Sequence, residues 1–159
     1  MSYQAVILTV SDSCAAGTRT DTSGPAIRAM LENAGFAVQA MQTVPDEEGQ
    51  ISAAIVHACD ILQADLVVTT GGTGLSPRDV TPEATLAVLD REIRAIPVAM
   101  WVEGLKSTPR AMLSRAVAGI RGHTLVLNVP GSEKAARENL RAVVATLDHA
   151  LRMLAGGGH

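Results

Sequence analysis

The stretch Val68-Thr69-Thr70-Gly71-Gly72-Thr73-Gly74-Leu75-Ser76-Pro77-Arg78-Asp79-Val80-Thr81-Pro82-Glu83 decides the fold of this chain. It begins inside an apolar, β-branched run over residues 66–70 (LVVTT), the pattern of a buried strand. Gly71, Gly72, Thr73 and Gly74 then offer backbone with almost no side chain. Arg78 and Asp79 follow, and Thr81-Pro82-Glu83 opens a helix, with Thr81 expected as N-cap and Pro82 at the first helical position. Strand, glycine turn, charged pair and helix start are the parts from which an α/β protein builds an anion seat at the carboxyl end of a strand. Glycine also lets a ligand approach the main chain, so a side chain at Gly72 is expected to block the ligand more than the fold.

The turn is neither a P-loop, since no Lys-Ser or Lys-Thr follows the last glycine, nor GxGxxG. Read alone, such a glycine-rich connection is more often a tight turn. Asp79 adds information, because a carboxylate beside a phosphate seat is unfavourable unless a cation lies between them. Mg²⁺ meets that need, taking carboxylate and phosphate oxygens together. The alternative is a solvated loop carboxylate paired with Arg78.

Composition narrows the class. The chain has 159 residues, 47% hydrophobic and 18% charged, which fits one globular domain over residues 1–155 with a loose tail at 156–159. One Trp, one Tyr and one Phe leave the core to Ala, Val, Leu, Ile and Met. So few aromatics, with a net charge of −3 and no long basic run, argue against nucleic-acid binding. Cys14 and Cys59 lie far apart with no CxxC, so neither a disulfide framework nor a zinc site is expected. The start MSYQAVILTVSD has no basic, apolar and cleavable leader pattern. No apolar stretch reaches the roughly 18 residues of a membrane span. A cytoplasmic protein is expected.

Outward from the deciding stretch, residues 5–10 (AVILTV) read as a central strand and 11–22 as a polar loop. A helix capped by Thr22 or Ser23 runs to about Ala34 and is stopped by Gly35. Residues 36–43 read as a strand. Pro45-Asp46 opens a helix reaching Leu62, in which Asp46 has the character of an N-cap. After the glycine turn come helices over 82–89 and 93–105, an ambiguous 108–118, and a strand at 124–129 (TLVLNV). Pro130-Gly131-Ser132 turns into a last helix striped by Leu140, Val143, Val144, Leu147, Leu151 and Leu154, which is core packing. Alternating strands and helices call for an α/β, three-layer architecture: a mainly parallel sheet with helices on both faces. Ser11-Asp12, Val44-Pro45-Asp46-Glu47, the 71–79 turn and Pro130-Gly131-Ser132 all fall at carboxyl ends of strands, where ligands bind in such folds.

The order of these motifs resembles the molybdopterin-binding family: the MogA/MoaB group and the related domains of gephyrin and plant molybdenum-insertion proteins. The matching stretches are Thr9-Val10-Ser11-Asp12, Val44-Pro45-Asp46-Glu47, TTGGTG at 69–74 with RDVTPE at 78–83, LSRAVAG at 113–119 and NVPGS at 128–132. The resemblance implies a Rossmann-like fold and a molybdopterin adenylyltransferase, which joins AMP from ATP to the terminal phosphate of molybdopterin and releases pyrophosphate. It places the catalytic, Mg²⁺-handling carboxylates at Asp46 and Asp79. Gly71, Gly72, Thr73 and Gly74 then hold phosphates, and Pro130, Gly131 and Ser132 form a second anion seat for the pterin phosphate. Ser11 and Asp12 lie where a base or ribose is read. Ser114 and Arg115 add a hydroxyl and a cation, unless Arg115 pairs with a surface carboxylate. A homotrimer, and the molybdate-insertion protein of the pathway as partner, are also implied.

One stretch departs from the family pattern. After Arg91-Glu92 the usual Pro-Gly turn is Arg94-Ala95, and the usual Glu and Arg positions are Val98 and Trp101. Residues 93–105 (IRAIPVAMWVEGL) are apolar on more than one face, a candidate subunit contact. The rival function is a MoaB-like module that binds molybdopterin or nucleotide without turnover. A dinucleotide dehydrogenase is disfavoured, since the first strand leads to Ser11-Asp12-Ser13.

Overall fold

The structure, a computed structural model, describes residues 2–157. The tail expected at 156–159 is therefore described only at Gly156 and Gly157; positions 158 and 159 lie outside the described residues. Four parallel strands form the heart of the sheet: β1 (Gln4–Val10), β2 (Ala37–Val44), β3 (Leu66–Thr70) and, numbered in chain order, β6 (Thr124–Val129). Two short strands, β4 (Arg91–Glu92) and β5 (Ala118–Arg121), extend one side. The order is β2-β1-β3-β6-β5-β4, with β5 antiparallel to both neighbours. Sequence reading anticipates the parallel strands and misses the antiparallel pair.

Side chains alternate between two cores, as a pleated strand requires. Ala5, Ile7, Leu66, Val68, Leu125 and Leu127 face one side. There they meet α2 (Ser23–Asn33), α5 (Ala95–Leu105) and α6 (Glu133–Leu154) through residues such as Ile27, Met100 and Leu140. Val6, Leu8, Val10, Val67 and Val126 face the other side, against Ile51 and Ile55 of α3 (Glu48–Val56) and Ala84 of α4 (Thr81–Leu86). Cys59 is a small core residue there, its thiol pushed up to about 11 by burial. Among the described residues no helix is long and apolar enough to cross a membrane.

Several boundaries differ from the sequence reading, each for a local reason. The loop after β1 holds a short helix, α1 (Asp12–Ala15), because Ser11 Oγ accepts from the Cys14 N–H at 3.2 Å. Thr22 makes no cap bond; Asp21 Oδ1 accepts from Gly24 N at 3.0 Å instead. Asp46 is not an N-cap: α3 begins at Glu48 and continues as a π-helical turn at His57–Ile61. Thr81 is the first residue of α4 and not its cap. The ambiguous 108–118 stretch is a 3₁₀ turn at Pro109–Leu113 leading into β5. Gly122, at φ +58, turns β5 back into β6 in a two-residue hairpin.

Register places the site. Val10 pairs with Val44, Thr9 with Thr70, and Thr70 with Val129. The four parallel strands thus end in one row. The chain leaves β1 toward β2 on one side and β3 lies on the other, so a topological switch point falls between β1 and β3. The segments at 11–12, 44–47, 71–79 and 130–132 all emerge along this row.

Candidate active site

The loops at the row are clasped to one another before any ligand is considered. Asp12 N donates to Asp46 Oδ2 at 2.9 Å, and Asp46 N donates to Asp12 Oδ1 at 3.0 Å. Arg78 reaches across from the glycine loop, with Nε and Nη2 donating to the two Asp12 oxygens at 3.1 and 3.0 Å and Nη2 to Glu47 Oε1 at 2.9 Å. That fork suits a carboxylate in two-point contact. These hydrogen bonds hold the Asp12 carboxyl below the usual carboxylate range and make Arg78 give up its proton less readily than a free arginine. Arg78 therefore pairs with Asp12 and Glu47, not with Asp79.

The glycine turn needs its glycines for two different reasons. Gly71 has φ +103, and a side chain there would run into the Val10 carbonyl. Gly72 has φ +67, and its missing Cβ would strike Thr81 Oγ1 and stand 3.1 Å from Asp46 Oδ1. The space at Gly72 is thus filled by protein, so a side chain there strains the fold as well as crowding the cleft. The Cβ position of Gly74 lies 2.9 Å from Asp79 Oδ2. Asp79 Oδ2 in turn accepts from Ser76 N at 3.0 Å, which fixes the carboxylate. Asp46 and Asp79 thereby lie against the bare backbone of one turn. Among the described residues neither pairs with a lysine or arginine. Burial raises the Asp46 carboxyl above its usual range; the Asp12 N–H opposes that rise, and the charges of Asp12 and Asp79 add to it.

The cleft has two lobes that share Gly72, Asp79, Gly131 and Ser132. The first, about 370 Å³, is walled by hydroxyl and charged side chains from the ends of β1 and α2, including Ser11, Thr20, Asp21 and Ser23, and reaches Asp46 and Gly71. The second, about 610 Å³, is walled by Thr73, Gly74, Ser114 and Pro130, and by apolar Ala111, Leu113 and Ala135. Ser132 caps α6, its Oγ accepting from Ala135 N at 3.3 Å. The carbonyls before it are tied down by Thr70 Oγ1 onto Pro130 O at 2.7 Å and Ser23 Oγ onto Gly131 O at 2.6 Å.

A family description, "Probable molybdopterin binding domain", matches residues 6–149. The chain belongs to this family. The chain is 40% identical over 149 residues to the molybdenum cofactor synthesis protein cinnamon of Drosophila melanogaster, covering 93% of this chain and 25% of that protein. It spans only a quarter of cinnamon's length. It is 38% identical over 154 residues to the molybdopterin adenylyltransferase of Helicobacter pylori strain J99, covering 94% of this chain and 86% of that one. The crystal structure of the molybdopterin biosynthesis enzyme MoaB from Thermus thermophilus superposes with a TM-score of 0.92 at 49% identity, covering 97% of each chain.

Two of the expected site residues, Asp12 and Arg115, line neither lobe. Asp12 is consumed by the clasp. Arg115 staples the glycine loop, with Nε on Gly74 O at 2.8 Å, Nη2 on Asp79 O at 2.7 Å and Nη1 on Glu83 at 2.9 Å. The others border the cleft. Two supporting residues escaped sequence reasoning. Asp21 accepts from Thr9 Oγ1 at 2.7 Å as well as from Gly24 N; its signal was an Asp before a Ser-Gly helix start. Asn128 is fully buried under the turn, its Nδ2 donating to Thr69 Oγ1 at 2.8 Å and Thr85 Oγ1 at 3.1 Å and its Oδ1 accepting from Val117 N at 3.1 Å. Its signal was an amide inside the apolar run TLVLNV.

Proposed function

We propose that this chain is a molybdopterin adenylyltransferase of molybdenum cofactor biosynthesis. The carrying observation is the pair Asp46 and Asp79, set against Gly72 and Gly74 where the two lobes meet. In the proposed reaction an oxygen of the molybdopterin phosphate attacks the α-phosphorus of ATP. A new P–O–P link forms, the bond from the α-phosphorus to the bridging oxygen breaks, and pyrophosphate leaves. The chain's first task is to bring two polyanions together, and two lobes meeting at one carboxylate pair suit that task.

The donor set fits Mg²⁺. Asp46 and Asp79 are hard oxygen donors that both border the first lobe, the donor chemistry Mg²⁺ takes together with phosphate oxygens. When bound, the ion neutralises phosphate charge and favours pyrophosphate as leaving group. The protein's own contribution is positional. The Asp12–Asp46 clasp orients one carboxylate, the Ser76 N–H orients the other, and Arg115 fixes the loop that carries it. The N–H groups of the glycine turn and of the first turn of α6 are the proposed phosphate seats, with ribose and base read beside Ser11 and the pterin phosphate beside Gly131 and Ser132.

The same reading includes a homotrimer. Val98, Val102 and Leu105 are 49%, 55% and 45% exposed on the outward face of α5, while Pro97, Met100 and Gly104 are buried on its inner face. An apolar stripe at helical spacing on an outer face suits a second copy of the chain.

The test is pyrophosphate release by purified protein given molybdopterin, ATP and Mg²⁺. Release that requires all three supports the transfer. Binding of both substrates without release replaces it with the non-catalytic binding module.

A further inference from the structure

The arginines nearest the glycine turn are already committed. Arg78 holds Asp12 and Glu47, and Arg115 holds Glu83 and two carbonyls. Neither lines the cleft. Two other arginines do. Arg19 lies in the wall of the first lobe and Arg110 in the wall of the second. Among the described residues, neither makes an ion pair or a side-chain hydrogen bond. Both are exposed at the rim.

Charge makes their position informative. Asp46 in the first lobe and Asp79 in both are carboxylates without an ion-pair partner among the described residues, and each substrate of the proposed transfer adds more negative charge. An unpaired arginine in the wall of a lobe that also carries a carboxylate keeps its fork of N–H donors free for a ligand. Guanidinium geometry matches phosphate oxygens in two-point contact, which an ammonium does not reproduce. The two lobes differ in the chemistry beside each fork. Arg19 sits with the hydroxyls of Thr20 and Ser23, a setting for a sugar and its phosphates. Arg110 shares its lobe with apolar Ala111, Leu113 and Ala135 and with Glu138, whose carboxylate accepts from Ser107 Oγ at 2.9 Å, a setting for a flat heterocycle carrying one phosphate.

We propose that Arg19 and Arg110 are the specificity-determining phosphate-holding side chains of the two lobes, Arg19 for the nucleotide polyphosphate and Arg110 for the phosphate monoester of the pterin. This rests on the adenylyl-transfer reading for the identity of the ligands, but the division of labour is carried by the two unpaired side chains.

The experiment is calorimetry of ATP with Mg²⁺, and separately of molybdopterin, on wild-type protein and on Arg19→Ala, Arg19→Lys, Arg110→Ala and Arg110→Lys. Arg19→Ala weakens ATP about tenfold or more and leaves molybdopterin within about twofold. Arg110→Ala does the reverse. The lysine variants recover only part of the loss, because the fork is gone. All four melt with the wild type, since neither side chain holds another residue. Unchanged dissociation constants overturn the assignment, as does a single variant that weakens both ligands equally. A crossed pattern overturns the division of the lobes. Pyrophosphate release by the wild type separates the two levels. Release with unmoved binding in the variants sinks the arginine assignment alone. The predicted binding pattern without release supports the arginines and sinks the transfer.

Discussion

The row of parallel strand ends and the antiparallel flank at β4, β5 and α5 use the same residue types to opposite ends. At the row, Gly71 and Gly72 strip the backbone so that loops, carboxylates and ligands come close. On the flank, a side chain at Gly119 would strike the Arg91 carbonyl and come within 2.6 Å of Leu89 Cδ1, so the missing Cβ lets one strand lie on another. Polar bonds between loops hold the row: the Asp12–Asp46 clasp, Arg78 and Arg115. The flank is held by strand hydrogen bonds, the Arg121–Asp60 pair and the burial of Met100 and Ala118, and it leaves an apolar stripe outside. Polar side chains oppose one another at the row, and apolar ones remain uncovered on the flank.

The largest effect that tests this contrast is loss of a junction carboxylate. Asp79→Ala is expected to fold and to lose pyrophosphate release by about 100-fold or more, the scale of removing one key electrostatic group. The control is Glu92→Ala on the flank, expected to leave the rate unchanged. A folded Asp79→Ala protein with near wild-type turnover removes the junction as the reactive centre.

Next in size are the glycines. Gly72→Val forces a β-branched residue into a left-handed backbone and into Thr81, and is expected to cost roughly 2 kcal/mol or more by urea denaturation. Gly74→Ala, whose new methyl meets only Asp79, is expected to keep its stability and lose turnover. If Gly72→Val keeps full stability and loses only ATP binding, the turn is a ligand cradle and not a packing joint.

What was legible in the sequence divides along the same line. The run from Leu66 through Glu83 showed strand, turn and helix because each part has its own local signal: β-branched residues, glycines, and a proline at a helix start. Parallel strand ends follow from such units, so the gathering of Ser11, Asp46, Gly71 and Gly131 was legible too. Pairing across long separations was not. Arg91 meets Ile120 through two short strands with no apolar alternation to mark them. Arg115 had two readings open, a phosphate cation or the partner of a surface carboxylate; the structure bears out the second at Glu83, and adds the Gly74 and Asp79 carbonyls, which every residue carries and no sequence displays. Asp46 kept an N-cap reading open because Pro-Asp before a helix is a cap pattern; only the reciprocal bond to Asp12 separates the two.

On the flank, Val102→Glu is the cleanest probe of assembly, since Val102 is 55% exposed and Trp101 beside it is half-buried with its indole N–H unpartnered. The variant is expected to shift a trimer toward smaller species in light scattering at micromolar concentration while retaining its melting temperature. A wild-type monomer at that concentration removes the trimer. An unchanged oligomer in the variant moves the contact elsewhere.

The smallest expected effect sets the two clasped carboxylates against each other. Asp46 has a raised folded pKa, so its ionisation opposes folding: that contribution favours the folded state below the unfolded value and is lost as pH rises through the folded one. Asp12 has a lowered folded pKa through Arg78, so its contribution is present above the unfolded value and is lost as pH falls through the folded one. At pH 7 the signs therefore differ. Asp46→Asn keeps an oxygen for the Asp12 N–H and removes a disfavoured charge, and is expected to hold or raise stability by less than about 1 kcal/mol, since the group is only partly buried. Asp12→Asn breaks the charge pair with Arg78 and is expected to lower it. Melting both variants from pH 7 down through the carboxylate range checks the signs, and both differences from wild type should shrink as Asp12 and Asp46 protonate. Asp46→Asn that melts below wild type at pH 7 would make Asp46 a structural clasp like Asp12. Asp46→Asn that melts at or above wild type, with turnover gone, marks Asp46 as a charge the fold tolerates for the sake of the reaction.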